Sequence, residues 1–400
     1  MRRLILASVC CLAVLAVPAP ARAQEVGPEA RFHFGPLALQ PRFKITNVGV
    51  DSNVLNSSTN PLQDFTATFV PELDHALPIR RAKLTGRTTV SFVYFQTMEE
   101  QRSIDLSQEE RLTVQLSHVT PHADVAYINS DQRPNAEIDA RVHRTQTSWG
   151  GGLSARLAPK VGIDVSGSQT QYAFADVNYQ GVSLATVLDR TTRAIGGKVS
   201  VELTPLTTFV VQGNTGQDRF PTAAERNSDH TDLAVGVNLK RSALLSGTAN
   251  VGVKWFRPHD PTLQNFTGVT ADVGLTYLLH DRTQISGKVG RGTDYSFEVN
   301  QPYYITTGVG LSLTQVIVGH FDMVGRVSRA LFDYQSFAPV DGSSVSTRQD
   351  QLSSFGMGVG YRMSAGARVG IDLSYERRRS PVADRQYEGF RLGGSFIYGY

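Results

Sequence analysis

The side chains that could do chemistry in this 400-residue chain are scattered rather than gathered. A catalytic nucleophile needs a base within hydrogen-bond reach and a third group to orient that base. The nine histidines, at positions 33, 75, 118, 122, 143, 230, 259, 280 and 320, show no such grouping, and neither a G-x-S-x-G elbow nor an H-E-x-x-H pair occurs. Gly356-Met357-Gly358-Val359-Gly360 invites a nucleotide-binding reading, but a phosphate-binding turn must leave a strand and open a helix. Here Phe355, Met357, Val359 and Tyr361 keep alternating straight through it. Both cysteines, Cys10 and Cys11, lie in an N-terminal apolar run, so the rest of the chain offers no disulfide and no thiolate. The expectation is a non-enzyme without metal or cofactor, with a membrane lipid hydrolase as the weaker alternative.

The chemistry that remains is that of a wet wall. Arg87, Arg111, Arg156, Lys198, Lys254, Lys288, Arg326, Arg362, Arg368 and Arg391 each alternate with apolar neighbours, and Glu72, Asp164, Glu202, Asp272, Asp322, Asp372 and Glu376 share their face. Lining an aqueous channel, such a set could create a transverse field that favours polar or charged solutes. The candidate lumen residues are these ten basic residues with Glu202, Asp272 and Asp372.

The elements that must position them follow from the period. Leu245, Gly247, Ala249, Val251, Val253 and Trp255 alternate with polar residues, as do Val269 to Tyr277 and Ala367 to Tyr375. A period of two puts one set on each face of a strand. The segments have the length of membrane strands, which need about 9 to 11 residues, rather than the ~5 to 6 usual in soluble sheets. Short connections are expected around 77–80, 120–122, 158–160, 204–206, 240–242, 280–282, 317–319 and 363–365. Longer polar ones are expected at 51–63, 132–144, 175–190, 220–229, 257–265, 335–347 and 378–386, with weaker cases at 99–106 and 296–302. The alternation predicts an all-β fold: a transmembrane antiparallel β-barrel of about eighteen strands, sixteen being the alternative, with short periplasmic turns and longer extracellular loops. Closure is required, because hydrocarbon offers no partner to a bare N–H or C=O at a sheet edge. No folded plug precedes the first strand, and the 175–190 loop is the candidate to turn inward and constrict the channel.

The ends carry their own signals. Met1-Arg2-Arg3 leads into an uncharged apolar run from Leu4 to Val17, then into small residues at Ala21 and Ala23. This predicts a cleaved signal peptide over 1–23, a short periplasmic segment over 24–36 and the barrel over 37–400. Losing Arg2, Arg3 and Arg22 lowers Lys and Arg from 39 to 36, equal to the 36 acids, so the mature chain is formally neutral and offers no nucleic-acid footprint. At the other end Phe390, Leu392, Gly394, Phe396, Tyr398 and Tyr400 alternate to the last residue. Phe396, Tyr398 and Tyr400 resemble the C-terminal signal by which barrel-assembly machinery recognises outer-membrane barrels.

Val48-Gly49-Val50-Asp51-Ser52-Asn53-Val54, then Asn60-Pro61-Leu62-Gln63-Asp64-Phe65 and Val70-Pro71-Glu72-Leu73, resemble the opening of the putative β-barrel porin type 2 family. The resemblance implies a Gram-negative outer-membrane barrel linked with exopolysaccharide or capsule gene clusters. The expected function is a porin-like channel for passive passage or export of polar solutes, saccharides among them, with outer-membrane lipid and the assembly machinery as partners. A structural or surface-interaction barrel is the alternative. No outward stripe marks an oligomer interface at this level.

Overall fold

The computed structural model describes residues 32–240, 244–280, 282–337, 348–364 and 366–399. The expected leader, its cleavage point, most of the 335–347 loop and Tyr400 lie outside them. Eighteen antiparallel strands, from Leu37–Asp51 to Tyr387–Tyr398, form one sheet in which each strand pairs with its sequence neighbours. The sheet closes where the first strand meets the last, with Phe43 opposite Tyr398 and Asp51 opposite Arg391. Ahead of the first strand, Phe32–Phe34 folds back on Leu37, Ala38 and Leu39 through a turn at Gly35, whose φ of +59° suits glycine.

The pleat decides which side chains point outward, and the result inverts a soluble sheet. In Arg348–Ser364, Phe355, Met357 and Val359 are more than half exposed, whereas in the adjacent Ala367–Arg379 the charged Arg368 is 5% exposed. An apolar outside around a polar inside is favourable only when the surroundings are hydrocarbon. The strands run from 12 to 17 residues, longer than a bilayer crossing requires, so their upper ends project beyond it.

Short and long connections alternate as the sequence predicts, with one displaced turn. The short connection expected at 120–122 occupies 115–118, between Ser103–Val114 and Val119–Ser130. Pro121 instead lies opposite Leu153 near a strand start, where a lost ladder bond costs least.

Glycines on the inner face let long side chains cross a strand. Gly360 lies in register between Asp322 and Gly370, and a Cβ there would run into the Arg368 guanidinium. Arg368 uses that gap to reach Asp322, two strands away, with Nε to Oδ1 at 3.0 Å and Nη2 to Oδ1 at 2.7 Å. Arg362 adds a third contact at 3.0 Å. Gly360→Val should therefore push Arg368 off a carboxylate that is 1% exposed, at a cost of about 3 kcal/mol. A lower urea midpoint for the folded barrel is the expected readout, with Gly360→Ala less severe.

Candidate functional site

The inner face carries the candidate lumen residues, and most are paired. Arg87 donates to Asp74 at 2.6 Å, Arg111 lies 3.3 Å from Asp124 and Arg326 lies 3.2 Å from Asp372. Arg391 lies 2.5 Å from Asp51 across the closing seam, and Lys254 is 3.9 Å from Asp232. Arg362 and Arg368 share Asp322. Lys198 stands opposite Asp164, which also accepts the Ser154 hydroxyl. Glu72 takes Lys44 at 3.0 Å, and Glu376 accepts the Tyr387 hydroxyl at 2.9 Å. Lys288 stands between Gly274 and Gly310, and Asp272 between Asn250 and Gly290. Arg156 and Glu202 sit exposed beside the short-turn rim. These ion pairs join neighbouring or next-neighbouring strands. The expected transverse field gives way to lateral neutralisation, because opposite charges a few Å apart on one wall attract far more strongly than charges facing each other across a channel.

The long-loop mouth is built differently. Segment 175–189 does turn inward: Asn178–Tyr179 pairs with Val182–Ser183, and a short helix, Leu184–Leu188, follows under a Ser183 cap. Leu184, Val187 and Leu188 are buried against Phe220, Phe256, Phe297 and Tyr303. A second segment, 131–143, goes further and adds Ile138 and Val142 to that cluster. It leaves the fifth strand, yet its Glu137 carboxylate accepts the Ser296 hydroxyl at 2.6 Å and the Phe297 N–H at 3.2 Å, at the junction of the thirteenth and fourteenth strands. In a ring of eighteen strands that junction stands opposite, so 131–143 crosses the channel.

Side chains, not a backbone ladder, hold this crossing. Arg378 donates to the carbonyls of Ala136 at 2.9 Å and Glu137 at 3.2 Å, and Arg385 donates to the Glu137 carbonyl. Asp350, fully buried, anchors Arg378 at 2.7 Å, Arg348 at 2.9 Å and the Ser380 hydroxyl at 2.6 Å. On the near side Arg133 donates to the carbonyls of Asp139 at 2.6 Å and Val54 at 2.8 Å. A planar guanidinium with five donors suits this work, since it can satisfy buried carbonyls and a carboxylate together.

The model of the Putative beta-barrel porin 2 family matches residues 32–394. The chain belongs to that family. This porin is an outer-membrane β-barrel channel. Its fold is similar to that of OccK2 (OpdF) from Pseudomonas aeruginosa in complex with glucuronate, with a TM-score of 0.51 and 8% identity over 90% of this chain and 98% of that one. It is similar too to OpdK from Pseudomonas aeruginosa with vanillate, with a TM-score of 0.50 and 9% identity over 90% of this chain and 98% of that one. No curated protein matches the porin by sequence.

Burial sets the electrostatics of the porin's crossing segment. It pushes the Glu137 carboxyl up to about 7, although Ser296, Arg385 and Arg378 pull the other way. It also raises Asp139 against the pull of Arg378 and Arg385, and lowers the Arg226 guanidinium to about 10. Arg226 donates to the Glu298 carbonyl at 2.7 Å and so braces the loop that receives Glu137.

The alternation missed this machinery in part. The inward parity of Arg348 and Asp350 with Arg362 was there to be read along one strand, but Arg378 was assigned to a loop and Glu137 has no periodic neighbour. The expectation that nothing plugs the barrel ahead of its first strand says nothing of a loop that crosses it.

Proposed function

We propose that this porin passes polar, hydroxylated solutes of saccharide size, and that segment 131–143 gates it. The observation that carries this reading is the way the crossing segment is held: arginine side chains on carbonyls can let go without unzipping any strand. An inner wall of mutually neutralised pairs presents many hydrogen-bond donors and acceptors with little net field, which suits hydroxyl-rich solutes better than simple ions. The glucuronate held by OccK2 belongs to that protein, and it recommends a uronate among the solutes tested. A link with exopolysaccharide remains part of the proposal. Liposome swelling with glucose, sucrose and glucuronate tests it: uptake of sugars at rates falling with size is expected, and exclusion of every sugar by the variant that lacks the crossing segment would refute it.

The gate should respond to pH. With the segment in place Glu137 titrates near 7, and once solvated it returns to an ordinary value of 4.5. The crossing form binds the proton more tightly, so this contribution to closure is complete below pH 4.5 and is lost as pH rises through about 7. Open probability in planar bilayers is expected to increase as pH rises from 4.5 to about 7 and to level off above that. Glu137→Gln should flatten that dependence.

The packed cluster around Ile138, Phe297 and Tyr303 favours a second reading, a closed structural barrel. Silence in bilayers after the crossing segment is removed would support it. We also propose the leader over 1–23 with cleavage before Gln24, and an assembly role for Phe396 and Tyr398 with Tyr400. Phe396 and Tyr398 pack tilted against Phe43, with ring centroids 5.7 and 5.0 Å away, across the closing seam.

A further inference from the structure

The lipid-facing surface carries a polar island where hydrocarbon should meet it. Outward positions can be counted upward from the short-turn rim, and on fifteen of the strands the third and fourth are apolar or glycine, Val165, Val199, Val251, Leu311 and Met357 among them. The exceptions are neighbours. Asp64–Ile79 places His75 there, Ala82–Phe95 places Thr88 and Ser103–Val114 places both Glu110 and Gln108.

These four residues form one connected network. Thr88 donates to the Gln108 side-chain Oε1 at 2.6 Å, the Gln108 amide Nε2 donates to Glu110 at 2.5 Å, and His75 Nε2 lies 3.0 Å from Glu110. Glu110 reaches His75 across the intervening strand because Gly86 lies in register between them, and a Cβ at Gly86 would meet the Glu110 carboxylate at 2.5 Å. The side chains of Glu110 and His75 remain 30% and 17% exposed. The island is not a headgroup-level feature, since the stacked pair Phe69 and Phe92 and the exposed Ile104 continue the apolar band above it.

A carboxylate, an amide and an imidazole keep more hydrogen-bonding capacity than this network uses, and hydrocarbon supplies none. Leaving them against lipid costs free energy that a protein partner at the same depth would recover. A second copy in the same membrane holds its own island at the identical depth. Elsewhere at that height the chain offers only apolar wall, so the island's polar counterpart is the island itself, with an acid and an imidazole to exchange. We propose that this porin self-associates island to island, His75 of one copy meeting Glu110 and Gln108 of the next.

Full-length porin carrying Gln108→Cys is treated in native outer membranes with a bis-maleimide long enough to bridge two strand spacings. The proposed contact sets the two copies' residues 108 that far apart, beyond direct disulfide reach. Leu311→Cys, at the same depth on a distant wall, is the control. A covalent homodimer from Gln108→Cys and none from Leu311→Cys is expected. Native mass spectrometry in mild detergent should show an oligomer for the unmodified porin. Monomers should result from the His75→Leu, Gln108→Leu, Glu110→Leu triple variant, with heat-modifiable gel mobility confirming its fold. Cross-linking to a different protein, no cross-link at 108, equal cross-linking at 311, or a monomeric unmodified porin would each overturn the proposal.

Discussion

Replacing residues 133–141 with a short Gly-Ser linker is expected to raise single-channel conductance several-fold in planar bilayers while the barrel stays folded. The segment connects two strands that already pair from Val119 opposite Ala155 to Ser130 opposite Arg144, so a short link can join their ends without disturbing the ladder. What the linker removes is the bridge to the opposite side: Glu137 to Ser296, and the carbonyls of Ala136 and Glu137 to Arg378. Conductance follows the open cross-section, and a protein segment through the middle of the mouth excludes water and ions from most of it. Unchanged conductance in the linker variant would show that passage is limited elsewhere and would end the gating proposal.

The second large effect is expected at Asp350. Its carboxylate is fully buried and serves Arg378, Arg348 and Ser380. Asp350→Ala leaves two guanidinium groups sheltered from water without their shared counter-ion, and breaking a buried pair in this way costs about 3 to 5 kcal/mol. Because the pair also anchors the crossing segment, part of that loss should appear as opening rather than as unfolding. Two readouts separate these outcomes. The temperature at which heated samples lose their compact mobility on gels should fall, and bilayer current should rise towards that of the linker variant. The Asp350→Leu, Arg378→Leu double variant should regain part of the thermal stability, since only Arg348 then loses Asp350 and it keeps Glu298 at 2.9 Å. It should not regain the closure, since the Ala136 carbonyl lacks its donor and the Glu137 carbonyl keeps Arg385 alone. Full closure in the double variant would show that Arg378 is not the latch.

The relation between sequence and structure differs between wall and mouth. Strand number, closure and the inward facing of residues such as Arg326, Arg362 and Arg368 were legible because the pleat is a local rule. Once Phe355 faces lipid, Gly356 and Gly358 cannot, and a slip of one residue would turn every charge outward. The family likeness in Val48 to Leu73 pointed the same way, and the family match over 32–394 bears it out. The displaced turn at 115–118 shows the limit of reading proline as a boundary, because Pro121 can also sit just inside a strand.

Amino-acid order alone therefore determined the wall: alternation names the lipid face and the wet face, and hydrocarbon forces the sheet to close. Only the tertiary structure decided what occupies the mouth and which charges neutralise which. Glu137 and Ser296 are 159 residues apart, and Arg378 and Ala136 are 242 apart. No periodicity relates such positions, because a loop's partners depend on which strands closure has placed across the ring from it.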